Sequence, residues 1–257
     1  MPRAPRPAKA RAKKPRPPSP KLRERAAAIH RRFERAIPTP HVELLFQDPW
    51  QLLVAVILSA QSTDRTVNRV TPELFGRWPT PARLAAAPQE AVEKVILSTG
   101  FFRNKAKSIR AASGMLVERF GGQVPRTMEE MLELPGVARK TANVVLGSAH
   151  AVPSGITVDT HAIRVANRLR LTKHDDPVKI EVDLCSLFPR ERWIVTGHRF
   201  VLHGRHLCVA RDPDCPRCPL NEPCPSRQAR PEGSWEERAD AEARRMAELA
   251  RGFVHIP

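Results

Sequence analysis

The sequence predicts an all-α protein. Helix start and stop signals recur along its whole length, and apolar residues repeat at helical spacing. The best strand candidate is the short run Ile156-Thr-Val158. Leu22 to Ala36 is a charged, Ala-rich helical stretch closed by Pro38. Asp48-Pro49 pairs an N-cap with a proline whose missing N–H is no loss in the first turn, and opens a strongly apolar helix through Ala60. Thr80-Pro81 and Asp176-Pro177 repeat that start. Phe102 to Phe120 has helical periodicity and stops at Gly121-Gly122. Thr127 begins a short helix that runs into Leu134-Pro135-Gly136, and another helix follows from Val137 to about Ala149. Ser234 and Glu237 form a capping box for a last, mostly polar helix ending at Gly252.

With 257 residues, 41 % of them apolar, the chain can bury a substantial core. Its longest apolar run, Leu52 to Leu58, is far too short to span a bilayer. The basic N-terminus lacks the apolar stretch of a secretory signal. The expected setting is therefore intracellular and reducing, cytoplasm or nucleoid for a bacterial source. These properties exclude a membrane protein, a disulfide-stapled miniprotein and a fully disordered chain.

The net charge of +16 is unevenly spread. Residues 1 to 22 hold eight Lys/Arg, seven prolines and no acid, which leaves 35 basic and 27 acidic residues elsewhere. Residues 1–21 are accordingly expected to form a disordered, basic, Pro-rich arm. Such charge attracts polyanions, most commonly DNA or RNA, although a solubilising tail has the same composition.

Two regions carry the chemistry. In Leu134-Pro-Gly-Val-Ala-Arg-Lys-Thr141, Pro135 ends one helix and Gly136 permits a tight turn. The amides of Gly136, Val137 and Ala138 then sit at the start of the next helix, where a positive dipole end makes a phosphate site. An ordinary helical hairpin needs the same Pro-Gly, but Arg139 and Lys140 strengthen the anion-binding reading. Lys140 is oddly placed, because a helix N-terminus disfavours a cation and so favours the uncharged amine. A free lysine amine is a nucleophile able to form a Schiff base; a solvated or phosphate-pairing lysine is the alternative. Asp159, in Val158-Asp-Thr-His161, fits as the N-cap of the following helix, a role compatible with stabilising positive charge or accepting a proton.

These stretches, together with Leu58-Ser-Ala-Gln-Ser-Thr-Asp64, Thr99-Gly-Phe-Phe-Arg-Asn-Lys-Ala106 and Leu202-His-Gly-Arg205, resemble endonuclease III. That family belongs to the helix-hairpin-helix DNA glycosylases, and the resemblance spans roughly residues 22 to 225. It implies that Lys140 attacks the sugar C1′ of a flipped, oxidised pyrimidine nucleotide with Asp159 as its acidic partner. β-Elimination from the resulting imine then cuts the strand 3′ to the abasic site. It further implies that Gln61 fills the space left by the flipped base, that Phe101 is a neighbouring wedge, and that His161 lies at the DNA-binding site. The family commonly has a second glycine where this chain has Ala138. If the turn required φ > 0 there, alanine would cost about 1 kcal/mol or more.

Cys208, Cys215, Cys218 and Cys224 are spaced C-x6-C-x2-C-x5-C among four prolines and must converge on something. Spacing alone leaves zinc and a [4Fe-4S] cluster open. The resemblance implies the cluster, in a structural role, with Arg211 as the loop's basic contact to phosphate and two acids weakening it. Cys185 falls outside the set as a buried free thiol.

The implied architecture has two lobes. Residues 42–153 form a helical barrel containing the hairpin (about 127–149), residues 22–41 and 154–228 form the cluster lobe, and 229–257 form a polar helix or tail. The expected partner is double-stranded DNA carrying oxidised pyrimidines or abasic sites, bound by a monomer. A related adenine glycosylase relies on a carboxylate in the stretch Trp50 to Gln61, which here contains no Asp or Glu. A non-catalytic helix-hairpin-helix DNA-binding protein would account for charge and hairpin but not for Lys140 and Asp159 together.

Overall fold

The structure, a computed structural model, describes residues 17–251; most of the predicted basic arm lies outside them. Among the described residues there are twelve α-helices and no strand. They are α1 (Pro20–Ala36), α2 (Pro49–Leu58), α3 (Asp64–Arg77), α4 (Pro81–Ala86), α5 (Gln89–Ile96) and α6 (Phe102–Phe120). The second half holds α7 (Met128–Glu133), α8 (Arg139–His150), α9 (Thr160–Arg168), α10 (Pro177–Leu187), α11 (Trp193–His206) and α12 (Trp235–Ala250). No helix among the described residues is long and apolar enough to cross a membrane.

The caps work as their residue types dictate. Asp48 Oδ1 accepts from the Gln51 amide at 2.8 Å, Asp176 Oδ1 from Lys179 at 2.9 Å, and Ser234 with Glu237 closes a reciprocal capping box. Helix α2 is buried all round from Trp50 to Leu58, which explains why its sequence shows no polar face. It is the axis of a first apolar core built from α2 to α8. Inside that core the Trp50 indole N–H donates to Ser113 Oγ at 3.0 Å, satisfying both polar groups.

A second core shares no residue with the first. It joins Ile29 and Phe33 of α1 to α9, α10 and Phe200 of α11, with the Phe33 and Phe200 rings 5.3 Å apart. Helix α12 belongs to this core as well. Its Ala239 and Met246 are buried there, Arg35 of α1 holds Asp240 through two bonds of 2.6 and 2.7 Å, and the Arg32 guanidinium lies 4.9 Å from the Trp235 ring. The terminal helix is thus structural rather than a detached polar tail.

Three sequence expectations shift. Helix α2 stops at Leu58 instead of Ala60, and α8 begins at Arg139 instead of Val137. Ile156 and Val158 are buried in the second core without pairing as a strand.

Candidate active site and cysteine cluster

The hairpin turn between α7 and α8 depends on Gly136. Its φ is +79°, and a Cβ there would lie 2.7 Å from Ser108 Cβ, so glycine is required on both counts. Val137 is buried and its amide is spent inside the turn, donating to the Leu134 carbonyl at 3.1 Å. It is therefore withdrawn from the set of outward-pointing donors expected from the sequence. The amides of Gly136, Ala138, Arg139 and Lys140 have no backbone acceptor among the described residues, and Gly136 and Ala138 are exposed. Ala138 is the N-cap of α8 with φ −97° and ψ 169°, ordinary extended backbone. The alanine in place of the family's glycine is therefore unstrained.

Lys140 is the second residue of α8 and is exposed. Asp159 caps α9 with Oδ1 accepting from the Ala162 amide at 2.8 Å, and is half-buried. Lys140 and Asp159, 19 positions apart and on elements attached to different cores, line one cleft of about 630 Å³. That is ample for a small-molecule-sized group, for which pockets of ~300–1,000 Å³ are usual. Gln61, Ala138, His161 and Arg205 line the same cleft. Gly136, Val137, Phe101 and Arg211 do not.

Two ion-pair networks flank the cleft. Arg139 is engaged within the protein: its Nε and Nη2 grip Glu181 of α10 at 2.8 and 3.0 Å. The bond to Glu181 raises the guanidinium's pKa further. Asn143 Nδ2 donates to the same carboxylate at 2.9 Å, and Ser154 Oγ donates to Asn143 Oδ1 at 2.8 Å. In the second network, Arg205 of α11 bonds both Glu43 and Asp64, the latter at 2.6 Å, while His206 Nε2 lies 2.7 Å from Glu43. Burial by itself would raise the Glu43 carboxyl, but the His206 hydrogen bond and the Arg205 charge hold it down to about 2. His161 is packed at the foot of α9, with Arg164 Nη2 3.3 Å from its Nδ1, and burial chiefly lowers its pKa. Sequence reasoning missed Glu43, Asn143 and Glu181, because each acts through a partner far away in the chain.

Gln61 and Phe101 share an uncommon backbone state. Both are exposed and both have positive φ, 53° and 47°. Phe101, 65 % exposed, is the opposite of a core aromatic. The loop that projects it is fastened by Lys105, whose buried Nζ donates to the Thr99 carbonyl at 2.6 Å.

Cys208, Cys215, Cys218 and Cys224 line a single cavity at the end of α11. No group of three His, Cys, Asp or Glu side chains among the described residues could hold a single metal ion. Four thiols around one space are a donor set that suits either zinc or an iron–sulfur group. Protein N–H groups already face the sulfurs: Arg168 Nη1 is 3.2 Å from Cys208 Sγ and the Gln228 amide 3.5 Å from Cys215 Sγ. Burial raises the Cys218 and Cys224 thiols, and the other three cysteines' charges add to it in each case except for Cys218 on Cys224. Ligation to a cationic group removes that penalty. Arg211 is exposed on this loop, and Asp214, one of the two acids beside it, is taken up by Arg217 Nε at 2.6 Å. Cys185 is a free thiol, pushed up to about 11 mainly by burial.

Comparison with known proteins places this geometry. Residues 54–190 match the HhH-GPD superfamily of base excision DNA repair proteins. Endonuclease III of Synechocystis sp. is 50 % identical over 207 residues, covering 80 % of this chain and 94 % of that protein. A non-covalent endonuclease III–DNA complex superposes with a TM-score of 0.74 at 42 % identity, over 80 % of this chain and 95 % of the other. A trapped endonuclease III–DNA covalent intermediate gives 0.75 at 42 % identity, over 80 % and 96 %. With 50 % identity over a match that spans 94 % of such a relative, and both helices of the hairpin inside the matched region, the chain belongs to the endonuclease III family.

Proposed function

We propose that this base excision repair glycosylase and AP lyase acts on oxidised pyrimidines and abasic sites in duplex DNA, with Lys140 as nucleophile and Asp159 as its partner. The carrying observation is that an exposed lysine in the first turn of α8 and a capped aspartate at the start of α9 line one cleft. Lys140 Nζ attacks C1′ of a nucleotide turned out of the stack. The N-glycosidic bond breaks, and the base leaves with its electron pair and takes up a proton. Asp159 stabilises the positive charge that develops and can accept a proton from the attacking amine. Ring opening gives a protonated imine, which acidifies the C2′ hydrogen. Loss of that proton supplies the electrons of a C2′–C3′ double bond as the 3′-phosphate departs.

The amides of Gly136 and Ala138 supply phosphate contacts that position the strand without reading sequence. Gln61 and Phe101 hold the gap open. The four cysteines would ligate a [4Fe-4S] cluster, which when bound cross-links the loop carrying Arg211. The protein works as a monomer on chromosomal DNA inside the cell.

Borohydride trapping on an oxidised-pyrimidine duplex tests the reading. Lys140→Gln abolishes the covalent adduct with binding retained, and Asp159→Asn slows turnover far more than it weakens binding. Normal trapping by Lys140→Gln overturns the nucleophile assignment. Protein prepared anaerobically contains about four irons per chain, as a Cys₄ cubane requires; stoichiometric zinc in its place refutes the cluster.

A further inference from the structure

The Arg139–Glu181 pair stands where a phosphate contact was expected, and its geometry does something more specific. Arg139 and Asn143 are four residues apart on α8 and so lie on one face of the helix. Both bond the same Glu181 carboxylate, at 2.8 and 3.0 Å from Arg139 and 2.9 Å from Asn143. A helix held at two points one turn apart cannot rotate about its axis or slide along it. Lys140 follows Arg139 by one residue, about 100° further round the helix, so its direction is set by the same grip.

The loop that delivers Asp159 meets that carboxylate from the other side. Gly155 packs directly against it: a Cβ there would collide with Glu181 Oε1 and with both polar atoms of Asn143. Ser154 is tied in through Asn143 at 2.8 Å. Glu181 belongs to α10, whose Ile180 and Leu184 sit in the second core, whereas α8 packs in the first. The Glu181 side chain is 7 % exposed and Arg139 41 %, so the anchor is the carboxylate and the guanidinium is the part that reaches out.

We propose that Glu181 is a positioning residue that fixes the rotation of the first turn of α8, and hence Lys140, relative to the loop carrying Asp159. This rests on the assignment of Lys140 as nucleophile. Misplacement of a reacting group by ~1 Å can cost on the order of 100-fold in rate, so a lost grip shows in the chemical step rather than in affinity.

The test uses the full-length, cluster-loaded protein. Glu181→Gln keeps the shape but presents an amide N–H₂ where the Arg139 fork needs an acceptor. Arg139→Lys keeps the charge but loses the fork. Both are expected to lower the single-turnover rate of imine trapping at saturating enzyme by roughly 10- to 100-fold. Affinity for a duplex with a non-cleavable abasic analogue, and its salt dependence, should stay within about two-fold. Glu181→Asp, too short to hold both partners, is expected to fall between wild type and Glu181→Gln.

Wild-type trapping rates in Glu181→Gln and Arg139→Lys overturn the proposal. So does a loss confined to the melting temperature. A weaker salt dependence of binding in Arg139→Lys also overturns it, because Arg139 would then be a phosphate contact. Lys140→Gln run alongside separates the two levels. Normal trapping there sinks the nucleophile reading itself, whereas abolished trapping with normal Glu181→Gln sinks only the positioning role.

Discussion

Phe101→Gly separates what this exposed ring contributes to the fold from what the proposed wedge contributes to repair. The ring is 65 % exposed, so about a third of its surface is covered. A phenylalanine offers roughly 150–250 Å², and that third contributes about 1–2 kcal/mol at about 25 cal/mol per Å². Glycine adds an entropic cost of about 0.5–1 kcal/mol. Against both stands the relief of a non-glycine residue at φ 47°, about 1–2 kcal/mol. The net change in stability is about 1 kcal/mol or less, since the terms nearly cancel.

Repair should respond quite differently. Contact between an aromatic ring and a base contributes about 1–3 kcal/mol, so loss of the wedge should slow base release from a paired lesion by roughly 5- to 150-fold. The assay is single-turnover base release at saturating enzyme, on a duplex with the lesion paired and on a duplex with the lesion opposite a one-nucleotide gap. An unpaired base needs little help to leave the stack, so the gapped substrate should be processed at nearly the wild-type rate. Equal losses on both substrates would place Phe101 in the chemistry or the fold, and no loss on either would remove it from the mechanism.

Gly136→Ala combines φ +79° with a Cβ 2.7 Å from Ser108 Cβ. It should destabilise the protein by about 2–4 kcal/mol, read as a lowered melting temperature, while Ala138→Gly costs about 1 kcal/mol or less. Arg238 is buried in α12 and donates to the carbonyls of Cys218, Glu232 and Gly233, so Arg238→Ala should speed iron loss to a chelator several-fold; unchanged release would show that the helix does not brace the loop. The Glu43 carboxyl, at about 2 in the folded protein against 4.5 unfolded, stabilises fully above pH 4.5 and progressively less as the pH falls toward 2. That is about 3 kcal/mol, and Glu43→Gln should flatten this limb of the stability–pH curve. Deleting residues 1–22 removes eight positive charges, so the slope of log K against log[salt] should fall by roughly two to five units, equally for damaged and undamaged duplex; an unchanged slope means the arm makes no phosphate contact.

What the sequence revealed was local. Asp48, Asp176, Ser234 and Asp159 cap their helices because a cap is decided within three residues, and the chain shows those three residues directly. Lys140 and Asp159 stood out for the same reason, each embedded in a continuous motif, and the structure brings both to one cleft. Arg139 was misread. A basic residue after a Pro-Gly turn looks like a phosphate contact, and nothing nearby announces that its partner is Glu181, 42 positions on. Phe101 stood out only through the resemblance, since phenylalanine ordinarily belongs inside; the structure has it 65 % exposed on a left-handed backbone. Helix α12 looked merely polar, yet Arg238 is buried because three backbone carbonyls and Glu222 surround its guanidinium.

The long-range ion pairs beside the cleft share a location, which bears on how the site is built. Each apolar core holds its own lobe, and the two share no residue. Beside the cleft the polar ties include two built on carboxylates: Arg139 and Asn143 to Glu181 on one side, Arg205 to Glu43 and Asp64 on the other. Apolar surfaces tolerate small slips, because burial is nearly indifferent to direction. A forked guanidinium on a carboxylate is not indifferent, and a half-broken buried pair costs far more than the intact pair contributes. Whatever such contacts add to net stability, they penalise any other register of the two cores. Lys140 and Asp159 stand on elements of different cores, so the chemistry proposed for them needs that penalty: it depends on their relative placement, which neither core can supply alone.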